Sequence, residues 1–281
     1  MRYGVTMFAT DRTIRTAELA VEVEARGLHS LYLPEHTHIP VSRRTPPPTG
    51  DTELHDEYKR TVDPLVALAA AAAVTDRLVL GTGILLPAQR EPIVTAKAIA
   101  TLDAESGGRF VLGIGFGWNE DEIEHHGVEF KRRRDVCREH VMAMQSLWRN
   151  DVGEFHGDYV DFSPSWSWPK PSRAGGPPVL LGGAPGPKMF AHIAEYCDGW
   201  LPIGGAGVRA ALDDLRAACE ARGRDPESLE IMPFGTLPDR SKLDYYAEIG
   251  VTEVVLRVPG GTRDDVLPVL DHIAEVVRDA P

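Results

Sequence analysis

The chain has 281 residues, 43% hydrophobic and 26% charged, enough to bury the core of one large α/β domain or two small ones. Its 30 basic and 42 acidic residues give a net charge of −12, which argues against a nucleic-acid backbone or an anionic membrane surface as partner. Cys137, Cys197 and Cys219 lie far apart with no CxxC, so they read as reduced thiols with neither a disulfide nor a zinc site. The longest apolar run, residues 65–74, is shorter than the roughly 20 residues of a spanning helix. The first residues enter a strand pattern without an apolar signal segment, and a soluble, cytoplasmic protein is expected.

Residues 3–8 form the first predicted strand. Ile14, Ala17, Val21 and Ala25 then share a helical face, and Gly27 ends that helix. A second strand, residues 29–33, stops at Pro34 because proline has no N–H for a ladder. Glu35, His36 and His38 follow directly. Residues 39–58 make a long loop containing Arg43, Arg44 and the run Pro46, Pro47, Pro48, which reads as a lid or binding loop or as a disordered insertion. Asp63 caps the next helix, whose alanines (Ala67 and 69–73) suit close packing within the chain or in a homodimer.

Strand three covers residues 78–80 and leaves through Gly81, Thr82, Gly83 and Ile84, after which Glu91 and Pro92 open a helix. Strand four, residues 109–112, is followed by Gly113, Gly115 and Gly117. Alternate glycines permit positive φ and close approach of a ligand, or simply a tight turn. They do not make a dinucleotide fingerprint, which would need glycine where Trp118 stands. The basic run from Lys131 to Arg134 precedes a long helix ending near residue 148 and reads as a solvated helix entrance, with anion binding as the alternative. Residues 153–178 form a second insertion, with Trp166 and Trp168 suggesting an aromatic cleft. Strand five, residues 179–181, leads through Gly182, Gly183 and Gly186 into a helix over 187–196, and free N–H groups at such a turn suit a phosphate. Strands six, seven and eight fall at 200–203, 229–232 and 254–258, each followed by a helix.

Eight strands alternating with helices over close to the ~250 residues usual for the fold predict one (β/α)8 TIM barrel spanning 1–281, with insertions after strand two and before strand five. A doubly wound sheet would show five or six strands and a phosphate fingerprint. Barrel sites lie at C-terminal strand ends, which would gather Glu35, His36, Gly83, the stretch 115–119 and the stretch 182–186. His36 can move a proton near neutral pH with Glu35 beside it, the alternative being a hydrogen-bonded structural histidine. The HxH pair His36 and His38 would need further ligands from later strands, which carry no histidine, so no metal site is expected. No lysine stands at a strand end, and there is no GxSxG elbow. A redox cofactor would supply the missing reactivity.

Several segments together resemble the luciferase-like monooxygenase superfamily, and within it the coenzyme F420-dependent (deazaflavin) branch. They are residues 33–40 (LPEHTHIP), 80–84 (LGTGI), 100–103 with 106–109, 113–119, 181–183 and 198–200. The resemblance implies a ring lying across the C-terminal rim, with a non-proline cis peptide at the end of strand three, where Gly83 and Ile84 stand. Glu35 and His36 match an acidic residue and a proton-handling histidine beside the ring. Gly115 and Asn119 match one wall, with Asn119 touching the cofactor, and Gly182 and Gly183 match the loop that holds its phosphate. The implied activity is hydride transfer between coenzyme F420 and a small organic substrate under the Pro46 loop. An FMN-dependent monooxygenase and a non-catalytic flavin-binding relative are the alternatives. Sugar-phosphate dehydrogenases of this branch usually carry aspartate at the position of Glu35, and that departure leaves the substrate open.

Overall fold

Strands buried on both faces demand apolar side chains throughout, and β2 (Ser30–Leu33), β4 (Phe110–Ile114) and β7 (Val179–Gly182) are buried at every residue. The computed structural model describes residues 1–46, 50–51, 53–205 and 207–281, so Pro47 and Pro48 of the proline run lie outside the described residues. From β1 (Arg2–Thr6) the ladder runs in parallel through β2, β3 (Val79–Thr82), β4, β7, β8 (Gly199–Leu201) and β9 (Glu230–Ile231). On its other side β1 pairs with β11 (Glu253–Arg257), which pairs with β10 (Phe234–Thr236).

The two sheet edges, β9 and β10, are halves of one strand. Pro233 separates them because it has no N–H to give to the ladder. The Met232 N–H donates to Trp200 O at 3.0 Å and the Phe234 N–H to Pro202 O at 2.9 Å. On the opposite side the Val255 N–H donates to Pro233 O at 3.0 Å. The sheet therefore closes into a barrel of eight strand positions, as the alternating pattern predicted, and its C-terminal ends form one rim. The insertion before the fifth barrel strand is an antiparallel hairpin, β5 (Val152–His156) with β6 (Asp161–Trp166). Trp166 and Trp168 are 81% and 57% exposed and do not build the aromatic cleft expected of them.

Two helix faces also differ from expectation. α1 runs Thr16–Ala25 and buries Leu19, Ala20 and Val23, whereas Val21 is exposed. Ile14 lies before the helix begins, so counting the helical period from it set the face out of phase. In α2 (Pro64–Ala72) the Asp63 carboxylate caps the Leu65 and Val66 N–H groups as predicted. Its inward face is Leu65, Leu68, Ala71 and Ala72, while Ala69, Ala70 and Ala73 face outward beside the exposed Val66. Among the described residues no helix is long and apolar enough to cross a membrane.

At the N-terminal end of the barrel Glu253 is 2% exposed and accepts a hydrogen bond from the Ser30 hydroxyl. Burial pushes its carboxyl up to about 7, since Ser30 and the Arg2 guanidinium at 3.5 Å only partly offset lost hydration. Folding thus favours the protonated acid. The resulting stabilisation is complete below the unfolded value of 4.5 and is lost as pH rises through about 7. Its ceiling is roughly 3 kcal/mol. Glu253→Gln should therefore flatten unfolding free energy across that window and raise the melting temperature above pH 7; an unchanged pH profile would contradict this.

Candidate active site

The C-terminal strand ends open onto a cavity of about 990 Å³. Its floor is set by Ile84, which follows β3 through a cis Gly83–Ile84 peptide. A Cβ on Gly115 would lie 1.9 Å from Ile84 Cδ1, and one on Gly182 would lie 2.9 Å from Ile84 Cγ2. A Cβ on Gly83 would come within 2.2 Å of Phe234 Cζ. These positions are glycine because Ile84 and Phe234 fill the space. Of the alternate glycines after strand four only Gly117 has positive φ, at 75°. Gly113 lies within β4, where a side chain would meet Thr82 O at 2.1 Å.

Of the residues singled out in the sequence, Glu35, His36, Gly83, Ile84, Gly182 and Gly183 line the cavity. Gly115 and Asn119 are not on its wall. Gly115 lies beneath Ile84, and Asn119 is 1% exposed at the N-cap of α4 (Glu120–His125), its side-chain amide without a hydrogen-bond partner among the described residues.

Glu35 and His36 are adjacent in sequence but have separate partners. Glu35 is 4% exposed, accepts from the Leu86 N–H at 2.7 Å and pairs with Arg90, whose Nε donates at 2.6 Å. Burial raises the Glu35 carboxyl above its ordinary range, with Arg90 and the Leu86 N–H acting against that. Arg90 also reaches Asp63, so this pair fastens the end of β2 to the segment after β3 and to the start of α2. His36 instead meets Glu122 of α4, Nδ1 to Oε2 at 2.8 Å, with side-chain exposures of 7% and 1%. A carboxylate only accepts, so the network assigns the hydrogen to Nδ1 and leaves Nε2 without a partner among the described residues. The His36 backbone is held as well, its N–H donating to Thr61 Oγ1 at 3.2 Å and its carbonyl accepting from that hydroxyl at 2.9 Å.

The basic run divides. Lys131 and Arg132 are exposed, while Arg133 and Arg134, at the start of α5 (Arg133–Arg149), line the cavity. Arg133 donates to Gly117 O and Phe130 O, and Arg134 lies 5.0 Å over the Phe116 ring. Lys188, in the first turn of α6 (Pro187–Tyr196), lines the same wall beside the 182–186 turn. No ion pair engages these three cations among the described residues. The long loop is clasped to α4 by Arg44, which pairs with Glu120, Asp121 and Glu124. His38 bonds His125 at 2.9 Å, and Thr37 bonds His126 at 2.7 Å.

Glu122, Arg90 and Tyr58 were not foreseen from sequence. Glu122 sits in an acidic stretch that resembles a solvated first helical turn, and only its spacing from Trp118 could have flagged it. Glu122→Ala should leave neutral His36 divided between its two ring tautomers, whereas the parent chain holds the Nδ1–H form. Ring ¹⁵N shifts in alkaline solution read this directly, and an unchanged tautomer would remove Glu122 from that role.

Residues 4–238 match the family described as luciferase-like monooxygenase. An uncharacterized protein of Mycobacterium tuberculosis is 43% identical over 277 residues, covering 98% of both chains. An F420-dependent glucose-6-phosphate dehydrogenase of Mycolicibacterium fortuitum is 32% identical over 224 residues, covering 76% of this chain and 62% of that protein. The fold is shared with the crystal structure of monooxygenase RslO1 from Streptomyces bottropensis, with a TM-score of 0.79, 20% identity and 99% coverage of each chain. With its closed barrel and the family match over most of its length, the chain belongs to the luciferase-like monooxygenase family of oxidoreductases.

Proposed function

We propose that the chain is an F420-dependent oxidoreductase, which transfers hydride between the deazaflavin ring and a small organic substrate. The observation that carries this reading is the distribution of charge along one cavity. A deazaflavin tail bears a phosphodiester and carboxylates, and three cations without ion pairs among the described residues, Arg133, Arg134 and Lys188, line the same cavity as the 182–186 turn. Three cations in one cavity fit a tail with several anionic groups better than the single phosphate of FMN. The relative named as F420-dependent, at 32% identity, supports the same choice.

The residues present fit such a group. Ile84, seated in space that Gly115 and Gly182 leave empty, offers a flat apolar floor for a ring. Gly183 has a φ of 150°, which a side chain would strain, and Met189 Cε lies 2.4 Å from where its Cβ would be. When bound, the cofactor supplies the hydride chemistry. His36 Nε2 gives or takes the accompanying proton, and Glu122 orients the ring. Glu35, bound to Arg90, serves as a structural tie rather than as the partner of His36.

Anaerobic titration tests the reading. Oxidised F420 should bind more tightly than FMN, and the reduced form should react with substrate without oxygen. Arg134→Ala should weaken F420 binding about tenfold, the scale of one charged hydrogen bond, with the loss shrinking as salt rises. His36→Ala should cut turnover by ~10²–10⁴ with little change in cofactor affinity. Tighter FMN binding with oxygen consumption would instead establish the monooxygenase reading, and binding of a cofactor without turnover would establish a non-catalytic relative.

A further inference from the structure

Part of the cavity lining is aromatic and apolar. Met7 and Phe8 follow β1, Tyr58 comes from the long loop, Trp118 follows β4 and Val258 follows β11, and all of them line it. Their rings are in contact through His36. Phe8 and Tyr58 lie 4.9 Å apart, Tyr58 and His36 5.4 Å, His36 and Trp118 5.8 Å, and Tyr58 and Trp118 6.1 Å. The cations beside these rings are Arg257, which pairs with Glu57 at 3.3 Å, and Arg133, whose Nε donates at 3.1 Å to the carbonyl of Gly117, next to Trp118. The Thr6 hydroxyl is turned away, donating to Tyr32 O at 3.0 Å.

From this we infer that the substrate is an uncharged, largely apolar carbonyl compound, or the matching alcohol in the reverse direction, and not a sugar phosphate. The inference rests on the deazaflavin reading for its redox step but on the aromatic wall for its substrate class. Aromatic faces gain most by covering apolar surface. A sugar would lose hydration at every hydroxyl while meeting few partners beyond His36 Nε2 and the Tyr58 hydroxyl. A phosphate beside these rings would meet Arg257, already paired with Glu57, and Arg133, whose guanidinium already donates to the Gly117 and Phe130 carbonyls.

The step balances simply. The carbonyl carbon accepts hydride from the reduced deazaflavin, a C–H bond forms, and the carbonyl π bond opens onto oxygen. In this direction His36 enters protonated on both ring nitrogens and gives the Nε2 proton to that oxygen while Nδ1–H stays on Glu122, so the carbonyl is reduced to an alcohol and the deazaflavin is oxidised by two electrons. Solvent then returns a proton to His36.

Isothermal titration calorimetry with cyclohexanone, acetophenone, glucose and glucose 6-phosphate tests the inference, on the chain alone and on the chain saturated with oxidised F420. The two ketones should bind at least about tenfold more tightly than either sugar. Trp118→Ala and Tyr58→Ala should each weaken ketone binding by about 2–10-fold, the worth of one aromatic contact. Trp118→Phe should retain most of it, and melting curves should confirm that each variant is folded. Tighter binding of glucose 6-phosphate, no ketone binding, or indifference to both alanine variants would overturn the inference. Ketone binding by a chain that does not bind F420 would leave this wall's chemistry standing and remove the cofactor reading.

Discussion

The rim depends on where the Ile84 side chain goes. It occupies the volume that side chains would need on Gly115 and Gly182, which lie on the adjacent β4 and β7 sides of the barrel. Close packing leaves little slack, so a side chain at either glycine has to move Ile84 or the backbone. Holding Ile84 at that level gives the cavity a floor at one height across three strands. It also explains a glycine pattern that otherwise looks like ligand contact: part of the spacing serves packing beneath the site.

Above that floor the chain separates three tasks. The turn at 182–186, with Arg133, Arg134 and Lys188, concentrates positive potential on a protein whose net charge is −12. His36 lies against the Tyr58 and Trp118 rings, oriented by a carboxylate that is 1% exposed. Glu35 and Arg90 hold the strand end that carries His36. The loop bearing Tyr58 is secured at Arg44 by three carboxylates of α4, the helix that also provides Glu122. One short helix thus both positions the histidine and anchors the loop beside it.

Much of this was legible in the sequence because barrel architecture writes itself locally. Apart from β1, each barrel strand is a short run closed by glycine or proline, and the last helix announces Val266, Leu270 and Ile273 by period alone. Six of the eight proposed site positions line the cavity. What was not legible depends on partners distant in sequence. Glu35 and His36 invite pairing as neighbours, but consecutive side chains at a strand end diverge, one to Arg90 and the other to Glu122. The basic run could not reveal that only its second half turns inward. Nor could the sequence distinguish the inward alanines of α2 from the outward ones, since all have the same chemistry.

A crystal structure of the chain with oxidised coenzyme F420 tests the central claim most directly. The account predicts the deazaflavin ring on Ile84 with His36 Nε2 facing it, and the phosphodiester within hydrogen-bond reach of the 182–186 turn and Arg134. A ring bound away from Ile84, or a tail directed to the Tyr58 and Trp118 wall, would contradict it.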